Sequence, residues 1–242
     1  MRRTSLIFPI IMIGVLAMFS SCQKYGKSVK GSGPVVTQEF VLPTVSAILL
    51  SIDANVILTR GDSQTVVFEG QQNIINNIEK YITSDGYWNI GYYNSVKNHA
   101  GVTIYITTPN IDYASISGSG SLQCTNTFTD TTNVYLNISG SGNITMNTHA
   151  HLIQSDNSGS GSIKLAGTAY EHRIDISGSG DIRAYGLETE ITYVKISGSG
   201  NSEVWVTDYL EVNISGSGSV YYKGTPDIHT NISGSGGIIN TN

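Results

Sequence analysis

The sequence predicts an all-β protein that folds as a single-chain parallel β-solenoid. Two observations predict this fold class. The motif Ser-Gly-Ser-Gly occurs seven times, and apolar residues recur at fixed distances on both sides of each copy. A sequence period of about 20 residues is typical of a solenoid, because each repeat is one turn that buries its apolar side chains by stacking on its neighbours.

The motif is spaced too regularly for a flexible linker. The steps between the first serines of successive copies are 22, 19, 19, 20, 18 and 18 residues, so one turn takes about 19 residues. The first serines of the motifs are Ser117, Ser139, Ser158, Ser177, Ser197, Ser215 and Ser233.

Apolar residues alternate with polar ones around the motif. Most residues one and three places before the first serine, and five and seven places after it, are apolar. In the copy that begins at Ser177 they are Ile176, Ile174, Ile182 and Ala184. A period of two indicates β-strands with one face buried, and stacked strands lie about 4.8 Å apart.

The glycines of the motif fall at the alternating positions that face inward, like the apolar residues, whereas its serines fall at the positions that face outward. We therefore expect a corner at which the backbone lies so close to the interior that only glycine fits, with positive φ angles open to it. The outward serines are expected to form ladders of hydroxyl groups along the stack.

Residues 35–112 lack the motif and are predicted to form irregular early turns and a cap, ahead of the regular solenoid at residues 113–242. Residues 41–58, 65–68 and 102–107 resemble strands. A short helix is expected within Asn73–Tyr81, and Asp85-Gly86 is expected to form a turn.

The first residues are typical of a secreted lipoprotein. A basic start is followed by an apolar run and by small residues before Cys22. This pattern predicts a signal peptide at residues 1–21, acylation of Cys22 and a flexible tether over residues 22–34. We expect the lipid to be the protein's only contact with a membrane. The expected location is the cell envelope, at the outer membrane, facing either the periplasm or the exterior.

Composition excludes several classes of function. The formal net charge of −5 lacks the basic excess of a nucleic-acid-binding protein. Apart from Cys22 the only cysteine is Cys124, which falls in an inward column and is expected to be a core residue. The histidines lie at different distances from their motifs. We therefore expect neither a metal site nor a cofactor.

The segments "ISGSG", "ITTPN" and "DANVILTRGD" resemble a family of secreted bacterial β-solenoids known as the auto-transporter adhesin head domain, or GIN domain. The resemblance covers most of residues 36–242. It implies a right-handed parallel β-helix at the cell envelope, it supports a binding role, and it offers no catalytic residues to carry over.

One outward surface is predicted to bind a ligand. Six and eight places after the first serine, three consecutive turns carry aromatic and charged side chains, which suit a glycan or a protein partner. These candidate residues are Arg183, Tyr185, Glu203, Trp205, Tyr221 and Lys223. The alternative is that the rings form cross-turn pairs that only stabilise the sheet.

The predicted function is a non-enzymatic adhesin or interaction module. One alternative is a structural envelope scaffold without a specific ligand. Another is a carbohydrate-active enzyme, for which Asp156 and Asp175 on adjacent turns, followed by Lys195, are the nearest approach to a catalytic site. The same three residues also fit an exposed column of compensating charges.

The last strand-like segment, residues 237–240, is followed closely by Asn242, so the sequence provides no cap for this end of the solenoid. An uncapped turn exposes unpaired backbone groups. We therefore expect homo-oligomers that form through the C-terminal end.

Overall fold

The computed structural model describes residues 28–242, which form strands, connecting segments and the short helix α1 (Gln72–Ile75). The predicted signal peptide, Cys22 and tether residues 22–27 lie outside this range. The strands are β1 (Val29–Lys30), β2 (Val35–Phe40), β3 (Ala47–Leu50), β4 (Asn55–Arg60), β5 (Thr65–Gln71), β6 (Tyr87–Ile90), β7 (Val96–Lys97), β8 (Thr103–Thr108), β9 (Tyr113–Ile116), β10 (Ser121–Cys124), β11 (Phe128–Ile138), β12 (Asn143–Asn157), β13 (Ser162–Ile176), β14 (Ile182–Ile196), β15 (Ser202–Ile214), β16 (Val220–Lys223), β17 (Asp227–Ile232) and β18 (Ile238–Asn240).

The predicted parallel β-solenoid is confirmed. Strand segments that precede the motif stack in parallel as one wall, the pre-motif wall, which runs from β6 through β3 and β9 to the later halves of β11–β15 and to β17. Segments that follow the motif stack as the post-motif wall, from β8 through β4 and β10 to the early halves of β12–β15, β16 and β18. The motif forms the corner between the walls.

The core lies between the two walls, and the inward columns are those that the sequence predicts. Ile174 and Ile176 from the pre-motif wall and Ile182 and Ala184 from the post-motif wall are all at most 4% exposed. Neighbouring turns repeat this arrangement, so the buried side chains form one continuous apolar core. Burial of this apolar surface is the main favourable contribution to folding.

The motif glycines are required for a different reason from the one expected. A Cβ atom on Gly180 would lie 1.9 Å from the carbonyl oxygen of Gly161 in the preceding turn, and one on Gly178 would lie 2.2 Å from that of Gly159. The obstacle is therefore the backbone of the neighbouring turn, not the interior. The expectation of positive φ angles at this corner is wrong, because the glycines with positive φ in the described residues are Gly33, Gly86, Gly167 and Gly224.

Hydrogen bonds between backbones hold the corners together. The N–H groups of Ser179 and Gly180 both donate to the carbonyl oxygen of Gly159, at 3.0 Å each. One turn later, Ser199 and Gly200 donate to the carbonyl oxygen of Gly178 at 3.0 and 3.3 Å. The backbone ladder thus enters the corner, and after the second glycine side chains continue it, since the Asn201 N–H donates to the Asp181 carboxylate at 3.0 Å. These bonds between turns fix the register of both walls.

The expected ladders of motif serine hydroxyls do not form. Ser117 and Ser158 are the exceptions: their hydroxyls hydrogen-bond to Ser51 and to the Ile138 carbonyl. Ser117 and Ser51 lie on adjacent turns and meet at 3.2 Å, so the strand spacing permits such a contact, but no two motif serines repeat it in the described residues. The ladder instead occupies the next outward column, where longer side chains help to bridge the turns. Its contacts include Ser162 to Asn143 (2.8 Å), Asn201 to Asp181 (3.0 Å) and Ser219 to Asn201 (2.9 Å).

The N-terminal part stacks in an order different from the chain order. β6 and β8 lie beneath β3 and β4, although they follow them in the sequence, and β9 and β10 lie above. Beyond β8 the sheet continues with β5 and β2, which are antiparallel. These two strands cover the backbone edge of β8 at this end of the post-motif wall.

Two expectations for this part differ from the structure. Residues 29–30, assigned to the tether, form β1 and pair with β7. The helix expected within Asn73–Tyr81 is limited to α1, because Ile78 and Ile82 instead form β-bridges with Tyr92 and Trp88. The right-handed sense of the coil stays a prediction of the family resemblance.

The core also contains a histidine. His172 is 1% exposed, and its Nε2 atom lies 3.0 Å from the hydroxyl oxygen of the buried Ser155. Burial lowers the pKa of His172 to about 3, because the apolar surroundings disfavour the charged imidazolium. This histidine is therefore neutral in the folded protein over most of the pH range.

We expect Gly180→Ala to lower the free energy of unfolding by about 2–3 kcal/mol, because the new methyl group collides with a backbone carbonyl that is fixed by hydrogen bonds. Urea denaturation followed by circular dichroism measures the change. Gly101→Ala is the matched control, since a Cβ there meets nothing within 4 Å and φ is not positive. Equal losses in the two variants would contradict this account of the corner.

We also expect stability to fall as the pH drops from about 7 towards 4. The unfolded chain binds a proton at His172 below about pH 6.5, whereas the folded chain does not until about pH 3. The free energy of unfolding should therefore decrease by about 2 kcal/mol between pH 7 and pH 5 from this residue alone. His172→Gln does not titrate and should remove that part of the decrease in urea titrations. The same pH dependence in both proteins would show that His172 is not responsible.

Candidate functional site

The six predicted ligand-binding residues form the aromatic patch, defined as Arg183, Tyr185, Glu203, Trp205, Tyr221 and Lys223. Arg183, Glu203 and Tyr221 lie side by side on three consecutive turns of the post-motif wall, in the predicted register. Trp205 pairs with Lys223 in the neighbouring outward column. The structure thus brings together five of the six residues as the repeat alignment expects.

Tyr185 departs from the predicted alignment. The register between β14 and β15 shifts after Ala184, so that Trp205 pairs with Glu188 and not with Tyr185. The additional residues of β14 bulge out of the ladder. The Tyr185 ring instead lies beneath the ammonium group of Lys223, 4.5 Å from the ring centroid, and its hydroxyl is 2.9 Å from that of Thr241. Tyr185 and Lys223 therefore bind each other through a cation–π contact.

The remaining residues of the aromatic patch are more accessible to a ligand. Arg183 forms an ion pair with Asp181 at 3.1 Å, and these two residues border a shallow depression of about 340 Å³ with Glu203 and Tyr221. Trp205 is 37% exposed. Within residues 28–242, the side chains of Glu203 and Trp205 have no hydrogen bond, ion pair or ring contact. An exposed indole beside a carboxylate is the part of the patch best suited to contact a ligand.

A second outward surface lies on the pre-motif wall. Asp156, Asp175 and Lys195 stack on adjacent turns, as the alignment predicts. Beside them, Arg173 and Tyr193 occupy the outward column two places earlier. These residues, with Gln154 and Asn213, line a groove of about 310 Å³, which we call the tyrosine groove.

Sequence reasoning found the acids of this groove but missed its aromatic residue. Four places before the motif, Tyr113 and Tyr135 occupy the same column, but Gln154 and Arg173 separate them from Tyr193, and Glu211 follows it, so the tyrosines of this column are not consecutive. The available signal was its position in an outward column two residues from Lys195. Only the stacked turns show that Tyr193, 36% exposed, lies over the same depression as the acids.

The charges of the groove are largely compensated. Lys195 lies 3.3 Å from Asp175, and Arg173 pairs with Glu171. Asp156 accepts a hydrogen bond from Gln154 at 3.0 Å. Burial raises the pKa of Asp156, the Gln154 hydrogen bond partly opposes this, and the nearby negative charge of Asp175 raises it further. Asp156 is thus the acid of the groove that lacks a basic partner.

Other nucleophilic or metal-binding side chains do not form a reactive site in the described part of the chain. The Ser155–His172 pair is sealed inside the core, where no substrate reaches it. Burial raises the pKa of the Cys124 thiol to about 12, so it remains protonated and a poor nucleophile. Residues 28–242 contain no group of three or more His, Cys, Asp or Glu side chains placed to hold a metal ion. No helix in this range is long and apolar enough to cross a membrane.

The fold and its two outward surfaces define a β-solenoid protein with open, shallow faces. The family model described as "putative auto-transporter adhesin, head GIN domain" matches residues 46–226. The chain therefore belongs to this family, which confirms the resemblance seen in the sequence. A search among curated proteins found no match.

Solved structures share the fold. A putative adhesin from Bacteroides fragilis is 23% identical, with a TM-score of 0.79 over 88% of this chain and 100% of that one. A putative adhesin from Parabacteroides distasonis is 24% identical, with a TM-score of 0.74 over 89% of this chain and 100% of that one. A putative lipid binding protein from the same species is 22% identical, with a TM-score of 0.74 and the same coverage of both chains. At these identities the likeness shows the fold alone.

Proposed function

We propose that this protein is a non-enzymatic interaction module of the cell envelope that binds a glycan or a protein partner through the aromatic patch. The observation that carries this proposal is Trp205, whose indole is 37% exposed beside Glu203. An exposed ring without an aromatic neighbour forms none of the cross-turn ring pairs that stabilise sheets, whereas Trp is enriched among the residues that dominate binding energies. The absence of such a neighbour within residues 28–242 favours the binding role over the cross-turn pairing alternative.

Family membership supports this role and a location at the cell envelope or cell surface. The proposed attachment is a lipid on Cys22, at the outer membrane, with the face of the membrane left open. The proposed partners are a glycan or an envelope protein, and no nucleic acid. The mild negative net charge supports the last point.

The carbohydrate-active enzyme is the weaker alternative. Its acids, Asp156 and Asp175, lie on an open wall, and Lys195 neutralises Asp175. Catalytic carboxylates act best where the site excludes water and fixed dipoles stabilise developing charge. The tyrosine groove is too shallow to enclose a substrate in this way. A structural scaffold without a ligand is the remaining alternative, and the binding experiment below separates it from the proposal.

We expect a glycan array to show saturable binding by residues 22–242 carrying Cys22→Ser, and at least tenfold weaker binding when Trp205→Ala is added. Loss of the indole removes its stacking surface, whereas the backbone ladder of β15 remains. Tyr105→Ala is the matched control, because Tyr105 is 42% exposed on the same wall but lies at its other end. All three proteins should have the same thermal unfolding midpoint within a few degrees.

The other outcomes point to the alternatives. If Trp205→Ala leaves the binding of every glycan on the array unchanged, the aromatic patch is rejected as a ligand site. If neither the array nor a cross-linking search among envelope proteins yields a ligand, the scaffold becomes the better explanation. Release of reducing ends from the glycans would instead identify an enzyme.

We also propose a second copy of the chain as a partner at the C-terminal end of the stack. β17 pairs with β15 and β18 pairs with β16, and the opposite edge of each strand pairs with no strand of the described residues. Ile232 and Ile239 on these strands are each 39% exposed. Unpaired strand edges with apolar side chains are templates for pairing with another chain.

Light scattering at increasing protein concentration should therefore detect a rise in molar mass. Ile239→Lys places a charge on the edge strand and should restore a monomer. Tyr170→Lys, at a position 42% exposed in the middle of the stack, should leave the association unchanged. A monomer at every concentration removes this proposal without affecting the role of the aromatic patch.

A further inference from the structure

The tyrosine groove carries an inference that the proposed function does not require. It lies on the pre-motif wall, whereas the aromatic patch lies on the post-motif wall, and the core separates the two walls. Its volume of about 310 Å³ falls at the lower end of pockets that hold small ligands, roughly 300–1,000 Å³. A ligand in this groove would therefore occupy a site separate from the patch.

The groove combines an apolar ring with hydrogen-bonding groups of both kinds. Tyr193 is 36% exposed, and its ring is supported from the next turn by Tyr209 at a centroid distance of 5.9 Å. Its hydroxyl has no hydrogen-bond partner in the part of the chain that the structure describes. Asp156 and Asp175 supply acceptors, Lys195 supplies donors, and the Asn213 side chain supplies both. A flat apolar face next to mixed donors and acceptors matches a sugar ring, which has C–H groups on its faces and hydroxyls around its edge.

The charges of the groove select against an anionic ligand. Each basic group already has an acidic partner, Lys195 with Asp175 at 3.3 Å and Arg173 with Glu171. Among residues 28–242 Asp156 has no basic partner, so a phosphate, sulfate or uronate would meet an uncompensated carboxylate. A neutral polyol avoids this repulsion and can donate its hydroxyl protons to Asp156.

The groove extends along the stack and not across it. Gln154, Arg173 and Tyr193 lie in one column, and Asp156, Asp175 and Lys195 lie in the next, each on successive turns. Successive turns are about 4.8 Å apart, which is close to the length of one sugar in an extended β-linked chain. A chain laid along the wall would therefore meet one row of side chains per sugar.

We infer that the tyrosine groove binds a neutral, extended β-linked oligosaccharide, with one sugar ring stacked on Tyr193 and its hydroxyls hydrogen-bonded to Asp156 and Lys195. The solenoid axis sets the direction of the bound chain. We expect binding without cleavage, because Lys195 neutralises Asp175 and no second acid without a basic partner lies beside Asp156 within residues 28–242.

Isothermal titration calorimetry on residues 22–242 with Cys22→Ser tests the inference, with cellohexaose, xylohexaose and mannohexaose as neutral β-linked probes and hexamannuronate, which is also β-linked, as the anionic one. We expect saturable binding of at least one neutral hexasaccharide, and binding of hexamannuronate at least tenfold weaker. Tyr193→Ala should weaken the neutral interaction at least tenfold, since it removes the stacking ring. Asp156→Arg should weaken it to a similar extent by placing a bulky cation in the groove, and it keeps the Tyr193–Tyr209 contact in case Tyr193→Ala perturbs the fold.

Two controls make the result specific to this wall. Tyr105→Ala removes a comparably exposed ring from the other wall and should not alter binding. Trp205→Ala also should not alter it, which separates this inference from the proposed role of the aromatic patch. The inference is overturned if no neutral hexasaccharide binds, if hexamannuronate binds more tightly than the neutral probes, or if Trp205→Ala abolishes binding while Tyr193→Ala and Asp156→Arg do not.

Discussion

The structure depends on the close approach of successive backbones at the motif corner. There the Cα of each glycine faces a carbonyl oxygen of the turn below, and a methyl group on Gly161 would lie 1.7 Å from the oxygen of Gly142. The carbonyl oxygens of first motif glycines, such as Gly159 and Gly178, also accept hydrogen bonds from the turn above. The contacts between the glycines and these carbonyl oxygens bring a Cα–H group against an oxygen. Each such contact adds a small stabilisation to that of the conventional hydrogen bonds. Because no other residue fits, the corner occurs in only one register.

That register determines the rest of the solenoid. A shift of one residue would move every apolar side chain from the core face to solvent, so a fixed corner keeps Ile176 and Ile182 buried, together with their equivalents Ile196 and Ile163 in neighbouring turns. The far side of each turn is less constrained. Turns differ in length, and bulges occur there between β13 and β14 and between β14 and β15. Variation is therefore tolerated where it does not disturb the corner.

This division of roles explains where a function can reside. The corner presents small side chains on a rigid backbone, whereas the two walls present long outward columns whose residues are free to differ from turn to turn. The post-motif wall carries Trp205 and Glu203, and the pre-motif wall carries Tyr193 beside Asp156 and Lys195. Columns of this kind extend over several turns, so they suit ligands that are themselves extended. Neither wall encloses a ligand, which is consistent with a family of adhesin head domains.

Much of the fold was determined by the sequence alone, because the alternation and the repeat that predict it depend on residues close together in the chain. Alternation within each strand placed Ile174, Ile176 and Ile182 in the core, and the repeat placed Asp156, Asp175 and Lys195 in one column. The tertiary structure decided the features that depend on several turns at once. A bulge moved Tyr185 away from Trp205 and onto Lys223, and stacking placed Tyr193 over the acids. The N-terminal turns stack out of chain order, and the motif serines form no continuous ladder of hydroxyl groups. The repeat predicts whether a residue faces inward or outward. Where a bulge forms, which side chains touch and which turns become neighbours depend on three-dimensional packing.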